Sequence, residues 1–251
     1  MPYEAQQAET VLMRGHRGDR IDAYLARPLG GGPYPGVVVI HHMPGWDGPS
    51  KEIARRFAHE GFVAILPNLH FREGKATPEE NSASVRAAGG MPDDRTMGDV
   101  QGAIDYLREL PYLNGKVGVI GYCSGGRQSY LAACTLRGID AAIDCYGGGV
   151  VAKPEELTER QPTAPIELTK NLQCPLLGLF GVEDTRPSPD DNAKTEAALK
   201  EHRKTYEFHT YENAGHAFFA VDRPQYRQAA AIDGWKKVLG WFEKYLRGGA
   251  R

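Results

Sequence analysis

A cysteine flanked by glycines is the residue of this sequence that points most clearly to chemistry. The motif Gly121–Gly126 reads GYCSGG and stands between a strand pattern, Lys116–Gly121, and a helix pattern, Arg127–Leu136. Small residues permit a sharp strand-to-helix turn that exposes the central side chain. The unpaired N–H groups of the helix N-terminus favour the reactive thiolate. The pattern predicts that Cys123 is a nucleophile; the alternative is a glycine-rich turn around a buried structural cysteine.

The neighbouring Ser124 competes for the role of nucleophile. Because Cys123 holds the middle position between the two glycines, we expect Ser124 instead to donate its backbone N–H to an oxyanion. Glycine-rich turns also bind phosphates, but this one has neither the Lys-Ser/Thr pair of a P-loop nor the G-x-G-x-x-G spacing. Phosphate binding is therefore disfavoured.

A nucleophile on such a turn requires an acid and then a histidine further along the chain. Asp184 follows the apolar run Leu176–Gly181, and His216 follows the run Tyr206–Tyr211. Taken singly, Asp184 could be a turn or cap residue and His216 a loop histidine. The carboxyl ends of parallel strands meet at one edge of a sheet, so the order and placement together predict a Cys123–His216–Asp184 triad.

The segment His41–Trp46 (HHMPGW) follows another strand pattern, Val37–Ile40. The loop at this place supplies the second oxyanion N–H in such arrangements, and Met43 is the predicted donor. His42 is expected to project beside the nucleophile. A metal site formed by His41 and His42 with His70 and His216 is the alternative, but adjacent strand residues point to opposite faces and no H-E-x-x-H spacing occurs. We therefore predict no metal and no organic cofactor.

Composition bounds the class of protein. The chain has 251 residues, 41% hydrophobic and 25% charged, with a formal net charge of −2. These values are typical of globular proteins and exclude intrinsic disorder. The near-neutral net charge does not indicate binding to nucleic acid or to an anionic membrane, so the expected partner is a small molecule. Oligomeric state stays open.

Cellular setting is predicted from the cysteines and the apolar runs. Four cysteines are too few for a disulfide scaffold, and none forms a C-x-x-C pair. No run approaches the roughly 20 apolar residues of a membrane span, and no signal peptide is recognised at the start. The sequence favours the reducing cytoplasm, where Cys134, Cys145 and Cys174 are expected to be core thiols.

Strand and helix patterns alternate along the chain. A hairpin of Glu9–Arg14 and Ile21–Arg27 is expected first. Short buried strands follow at Gly36–Ile40, Phe62–Leu66, Lys116–Gly121, Ala141–Tyr146, Leu176–Gly181 and Tyr206–Tyr211, with helices at Pro49–His59, Asp93–Leu110, Arg127–Leu136, Asp190–His202 and Gln225–Leu246. This order predicts a mostly parallel twisted sheet of about 7–8 strands with helices on both faces. We expect one domain over 1–251, with variable loops near 71–92 (a loop with a helical turn) and 151–169.

On these residues the chain resembles the dienelactone hydrolase (carboxymethylenebutenolidase) family of the α/β-hydrolase fold. Asn114–Gly126 is very close to that family's cysteine elbow, and Gly215–Phe218 is similar to its histidine loop. Pro67–Leu69 also fits. The resemblance implies the α/β-hydrolase fold and assigns Cys123 as nucleophile, His216 as base and the Asp184 carboxylate as orienting acid.

The chain departs from the family's best-studied branch around the substrate. His42 replaces a glutamate before the oxyanion loop, and Ala217 replaces a serine after the catalytic histidine. The branch's substrate-binding arginine has two candidate counterparts here, Arg72 and Arg86. The aromatic side chains near the motifs either line a small apolar pocket or pack in the core. The predicted substrate contacts are His42, Trp46, His70, Arg72, Arg86, Tyr122 and Phe218.

The resulting hypothesis is hydrolysis of a small ester or lactone through a thioester acyl-enzyme. In it, His42 adds positive charge or a hydrogen bond near the thiolate. The same residues could act on other carboxylic or phosphoric esters. A third possibility is a non-catalytic protein that binds a ligand or senses oxidants through its thiol.

Overall fold

A central sheet of eight strands dominates the computed structural model, which describes residues 3, 5–74 and 76–248. Its strands are β1 (Gln6–Arg14), β2 (Arg20–Pro28), β3 (Tyr34–Ile40), β4 (Val63–Pro67), β5 (Leu113–Tyr122), β6 (Ala141–Cys145), β7 (Leu176–Gly181) and β8 (Tyr206–Tyr211). They lie in the order β1-β2-β4-β3-β5-β6-β7-β8. β1 pairs with β2 and β2 with β4 in antiparallel fashion, and the remaining neighbours are parallel. The predicted hairpin, strand number and mostly parallel sheet are confirmed.

Both faces of the sheet are covered. The helices are α1 (Gly48–His59), α2 (Pro78–Ala87), α3 (Asp93–Arg108), α4 (Ser124–Thr135), α5 (Pro189–Glu201) and α6 (Gln228–Leu246). Successive strand residues point to opposite faces, so Val38 and Ile40 pack in one core cluster while Val37 and Val39 pack in the other. This double burial explains why β3 reads as a continuous apolar run.

The prediction for residues 71–92 is wrong in part. The segment contains a short 3₁₀ turn at Phe71–Glu73, but also the ten-residue helix α2. Thr77 and Glu80 form a capping box at its start, and Pro78 occupies the first turn. Only Ser82 and Val85 of α2 are buried, so the helix carries no apolar stripe that would have marked it in the sequence.

Residues 151–169 form the other irregular segment. It holds a 3₁₀ turn at Pro154–Glu156, and a longer one over Pro165–Asn171 begins near its end. The segment contacts the region around α2, because Thr158 Oγ1 donates to the Gly89 carbonyl at 2.8 Å and Gln161 Nε2 donates to the Met91 carbonyl at 3.2 Å. The two variable segments therefore lie side by side.

The parallel strands end at a common edge. β3 leads into His41 to Met43, β5 into Cys123, β7 into Asp184 and β8 into His216. In an open α/β sheet this edge is where ligands bind. Among the described residues, no helix is long and apolar enough to cross a membrane.

Candidate active site

Cys123 occupies a strained turn between β5 and α4. Its φ is +57° and its ψ −120°, in a region that few residues other than glycine adopt. A Cβ on Gly121 would lie 1.8 Å from the Gly125 carbonyl oxygen, and one on Gly125 would lie 2.2 Å from the Ile40 oxygen. The flanking glycines are thus required because strand, turn and helix backbones meet here, as the motif predicts.

The surroundings of Cys123 favour its thiolate. Burial raises the pKa of the thiol, but the hydrogen bond and charge of His216 and the backbone N–H groups of Ser124 and Met43 outweigh burial, and the pKa is lowered. The other cysteines behave differently. Burial raises the pKa of Cys134 and of Cys174 to about 12, and that of Cys145 well above its ordinary value. Cys123 is thus the only thiol among the described residues with a lowered pKa.

His216 and Asp184 form a close pair. His216 Nδ1 donates to Asp184 Oδ2 at 2.9 Å, and Asp184 is buried, with 4% of its surface exposed. The backbone N–H of Arg186 donates to the other carboxylate oxygen at 2.9 Å. Burial lowers the pKa of His216, but hydrogen bonds with Asp184 and Cys123 and their charges raise it to about 10. Because Nδ1 is engaged by Asp184, Nε2 is left to face the cysteine.

One cavity of about 480 Å³ unites these groups. Its walls include Cys123, Asp184 and His216 together with Met43 and Ser124. The structure therefore brings together all five residues predicted for the triad and the oxyanion hole. We refer to this space as the cysteine cavity.

Arginines also line the cysteine cavity. Arg127 is held by Asp93 through bonds of 2.6 and 2.9 Å, and Arg186 lies 3.0 Å from Glu156. Arg86, on α2, is exposed and forms no ion pair among the described residues. Of the two arginine candidates from the sequence, Arg86 is the one that the structure places at the cavity.

The other arginine candidate lies elsewhere. Arg72 binds the buried Asp99 through two bonds, at 2.8 and 3.0 Å, and the exposed Asp19 at 2.8 Å. It is absent from the walls of the cysteine cavity. Its charge is thus already neutralised, which favours a role in joining the β1–β2 turn to α3.

The apolar candidates do not line the cysteine cavity either. Trp46 donates its Nε1–H to the Leu66 carbonyl at 3.0 Å, and the Lys51 ammonium lies 3.7 Å from its ring centre. Phe218 is fully buried against Tyr146 and Phe219, stacking on the latter. The core-packing alternative therefore describes Phe218 better than substrate contact does.

The histidines of the β3 loop make other contacts. His42 Nε2 donates to Asp47 Oδ2 at 2.6 Å. Burial raises the pKa of Asp47, but hydrogen bonds from His42 and Ser50 outweigh it and lower the pKa to about 2. His42 is not among the groups that shift the pKa of Cys123. It lines a second cavity, together with Tyr122. The expected position of His42 beside the nucleophile is therefore not supported by its contacts.

His70 and His41 pack against each other, with ring centres 4.9 Å apart. His41 Nδ1 donates to the His42 carbonyl and its Nε2 accepts from the Leu69 N–H. Both rings are buried, and His70 lies outside the cysteine cavity. Within residues 3, 5–74 and 76–248, no group of three histidine, cysteine or acidic side chains is placed to hold a metal ion.

Four side chains of this cavity were not predicted from the sequence, those of Arg127, Gln161, Thr185 and Arg186. Arg127 and Arg186 each stand within four residues of a triad member, which was a usable signal. Gln161 belongs to the 151–169 segment, and no local pattern distinguishes it.

Comparison with known proteins identifies the family of this chain. The model of the "Dienelactone hydrolase family" matches residues 21–246. The chain belongs to the dienelactone hydrolase family. A relative from Escherichia coli (strain K12), named "Putative carboxymethylenebutenolidase", is 32% identical over 236 residues, covering 91% of this chain and 84% of the relative. A relative from Bradyrhizobium sp. is named "Probable 2-oxo-3-(5-oxofuran-2-ylidene)propanoate lactonase". It is 32% identical over 249 residues, which cover 96% of this chain and 97% of the relative.

A solved structure shares the fold along nearly the whole chain. The "Putative Dienelactone Hydrolase" of Klebsiella pneumoniae superposes with a TM-score of 0.88 and 29% identity, over 96% of this chain and 100% of the other. The α/β-hydrolase fold expected from the sequence is thus confirmed. As a member of the dienelactone hydrolase family, the protein is a dienelactone hydrolase-like hydrolase.

Proposed function

We propose that this dienelactone hydrolase family member cleaves a small ester or lactone with Cys123, His216 and Asp184. The observation that carries the proposal is the meeting of the three side chains in one cavity, with Asp184 bonded to His216 and a lowered pKa at Cys123. A thiolate paired with an imidazolium is the reactive form of a cysteine nucleophile.

The first half-reaction forms a thioester. The Cys123 sulfur attacks the acyl carbon, and the carbonyl π electrons move to oxygen, where the N–H groups of Ser124 and Met43 stabilise the charge. As the tetrahedral intermediate collapses, the bond from carbon to the alcohol oxygen breaks. The His216 imidazolium gives its proton to that oxygen, and the acyl group remains on Cys123.

The second half-reaction returns the free enzyme. Neutral His216 removes a proton from water, whose oxygen attacks the thioester carbon. The carbon–sulfur bond then breaks, releasing the carboxylic acid and restoring the Cys123 thiolate beside protonated His216. Asp184 holds Nδ1–H throughout, so Nε2 always faces the reacting groups.

Substrate selection depends on the rim of the cysteine cavity. Arg86 is the exposed arginine without an ion pair there among the described residues, and its guanidinium suits a carboxylate on the substrate. A cavity of about 480 Å³ suits a small molecule. The proposed substrate is therefore a small ester or lactone, with Arg86 as the contact for an acidic group.

A substrate panel tests this function. We expect p-nitrophenyl acetate and the lactone dihydrocoumarin to be hydrolysed with kcat/KM values at least about 100-fold above that of the phosphotriester paraoxon. The reason is that two N–H groups directed at one oxygen stabilise a tetrahedral acyl intermediate. Comparable or faster paraoxon turnover would instead favour the phosphoric ester alternative, and no turnover of any of the three would reject the proposal.

Alkylation by iodoacetamide tests the resting thiolate. Because the pKa of Cys123 is lowered, its alkylation rate should reach half its plateau below about pH 8.5, the value for a free cysteine. In His216→Gln, burial is no longer opposed by the imidazolium, so the midpoint should move upward. Mass spectrometry of samples quenched at successive times measures the pH midpoint of alkylation in both proteins. Cys123→Ala shows how much alkylation comes from the buried thiols. An identical midpoint in wild type and His216→Gln would refute the ion pair.

A further inference from the structure

A second cavity, of about 420 Å³, lies on the α1 and α6 side of the sheet. Its walls are mainly aromatic and aliphatic and include Ile53, Tyr122, Tyr146, Phe219 and Trp235. Val221, 70% exposed, stands at its rim. The residues of the proposed triad are absent from its walls, so we call it the α1–α6 cavity.

Tyr122, a wall residue of this cavity, carries a buried hydroxyl without a hydrogen-bond partner among the described residues. Its side chain is buried, with 4% of its surface exposed. Leaving a buried hydroxyl unpaired costs free energy, so native structures pair such groups with protein, water or a ligand. An acceptor brought by a ligand would remove that cost.

Arg56 supplies a cation to the same cavity. Its guanidinium lies 4.0 Å from the ring centre of Trp235 and forms no ion pair among the described residues. Burial raises the pKa of the Tyr122 hydroxyl well above its ordinary value, and the charge of Arg56 opposes this shift in part. Neighbouring Arg55 differs, because it binds Glu52 and the Tyr24 hydroxyl. Arg56 is therefore the available cation of this cavity, within the part of the chain that the structure describes.

Burial lowers the pKa of Arg56 and the charges of Glu60 and Glu52 partly oppose that effect, but no carboxylate forms an ion pair with Arg56 among the described residues. Glu52 is engaged by Arg55, and Asp222 is exposed at the rim. The Arg56 guanidinium and the Tyr122 hydroxyl are both hydrogen-bond donors, and one of them is positively charged. The ligand group that matches them is a negatively charged acceptor. The aromatic walls beside them complement a ring.

We propose that the α1–α6 cavity is a binding site for an aryl-substituted carboxylate. The carboxylate accepts hydrogen bonds from Arg56 and the Tyr122 hydroxyl, and the ring packs against Phe219 and Trp235. The site is distinct from the cysteine cavity but touches it through Tyr146, whose ring centre lies 5.2 Å from that of His216.

Titration calorimetry with 4-phenylbutyrate tests the site. The neutral amide 4-phenylbutyramide is the control ligand, because it keeps the ring and chain but lacks the negative charge. We expect saturable binding of one 4-phenylbutyrate per chain and at least about tenfold weaker binding of the amide. Arg56→Gln should weaken binding of the acid about tenfold or more, with partial recovery in Arg56→Lys. Tyr122→Phe should weaken it severalfold.

Two matched arginine variants locate the ligand. Arg55→Gln removes a neighbouring but already paired guanidinium, and Arg86→Gln removes the exposed arginine without an ion pair at the cysteine cavity, so neither should change the affinity for 4-phenylbutyrate. The proposal is overturned by absence of saturable binding, by equal affinity in wild type and Arg56→Gln, or by weakening in Arg86→Gln with none in Arg56→Gln. Circular dichroism confirms that each variant is folded.

Discussion

Cys123→Ala is expected to lose about 10⁴-fold or more of the wild-type kcat for p-nitrophenyl acetate. The change removes the sulfur that the proposed mechanism needs for bond formation, while the oxyanion N–H groups and His216 remain. Alanine also fits the site, because it only removes an atom from a half-buried position. Initial rates of nitrophenolate release, followed at saturating substrate, measure the effect.

Cys134→Ala is the matched control for that measurement. It also removes one thiol, but from a buried position in the core cluster on the other side of the sheet. Its kcat should remain within a few-fold of wild type. Similar rates in Cys123→Ala and wild type would show that the thiol is not the nucleophile, and Ser124 would become the candidate.

Asp184→Asn is expected to lower kcat by about 10³–10⁴-fold with little change in KM. An amide can offer its NH₂ group to His216 Nδ1, which selects the tautomer in which Nε2 carries the proton and cannot act as base. The carboxylate also helps to hold the pKa of His216 at about 10. Its loss should lower that pKa, so the alkaline limb of the activity profile should shift to lower pH.

Glu183→Gln controls for a general loss of negative charge in this loop. Glu183 is exposed and adjacent in the chain, and neither its charge nor a hydrogen bond from it is among the groups that shift the pKa of His216. Its kcat and pH profile should match those of wild type. An unchanged alkaline limb in Asp184→Asn would contradict the role given to this carboxylate.

The placement of the candidate triad could be predicted because each member lies in the loop that follows the end of a strand. The runs before Cys123 and Asp184 are short and largely apolar, whereas the run before His216 is a partly exposed edge strand that also holds Glu207, His209 and Thr210. All three runs are bounded by turn residues, so the strands could be predicted, and the shared edge followed from the parallel topology. The glycines around Cys123 could also be interpreted from the sequence, because the close approach of the backbones at this turn leaves no room for a Cβ atom.

Side-chain pairing over long distances could not be predicted. Arg72 and Arg86 were equal candidates in the sequence, and only the fold shows that Asp99, 27 residues beyond Arg72, neutralises it. Likewise, Asp47 engages His42. Such pairs depend on how separate elements pack, and no local pattern specifies them.

The α1–α6 cavity was equally inaccessible from the sequence. Arg56 lies on α1, Tyr122 ends β5 and Trp235 lies on α6, so the three residues meet only after the helix layer has packed on the sheet. The helix α2 was missed for a different reason, because capping rather than an apolar stripe defines it. Amphipathic patterns therefore revealed the elements that face the core but not those at the rim of the cysteine cavity.

Trapping the acyl-enzyme is the most direct test of the central claim, that Cys123 carries the acyl group during turnover. Wild-type protein is mixed with p-nitrophenyl acetate, quenched in acid within the first turnovers, and analysed by intact mass and peptide mapping. We expect one added acetyl group per chain, located on Cys123 and released by hydroxylamine at neutral pH, as a thioester is. An acetyl group on Ser124, or steady turnover with no acetylated enzyme and an undiminished rate in Cys123→Ala, would contradict it.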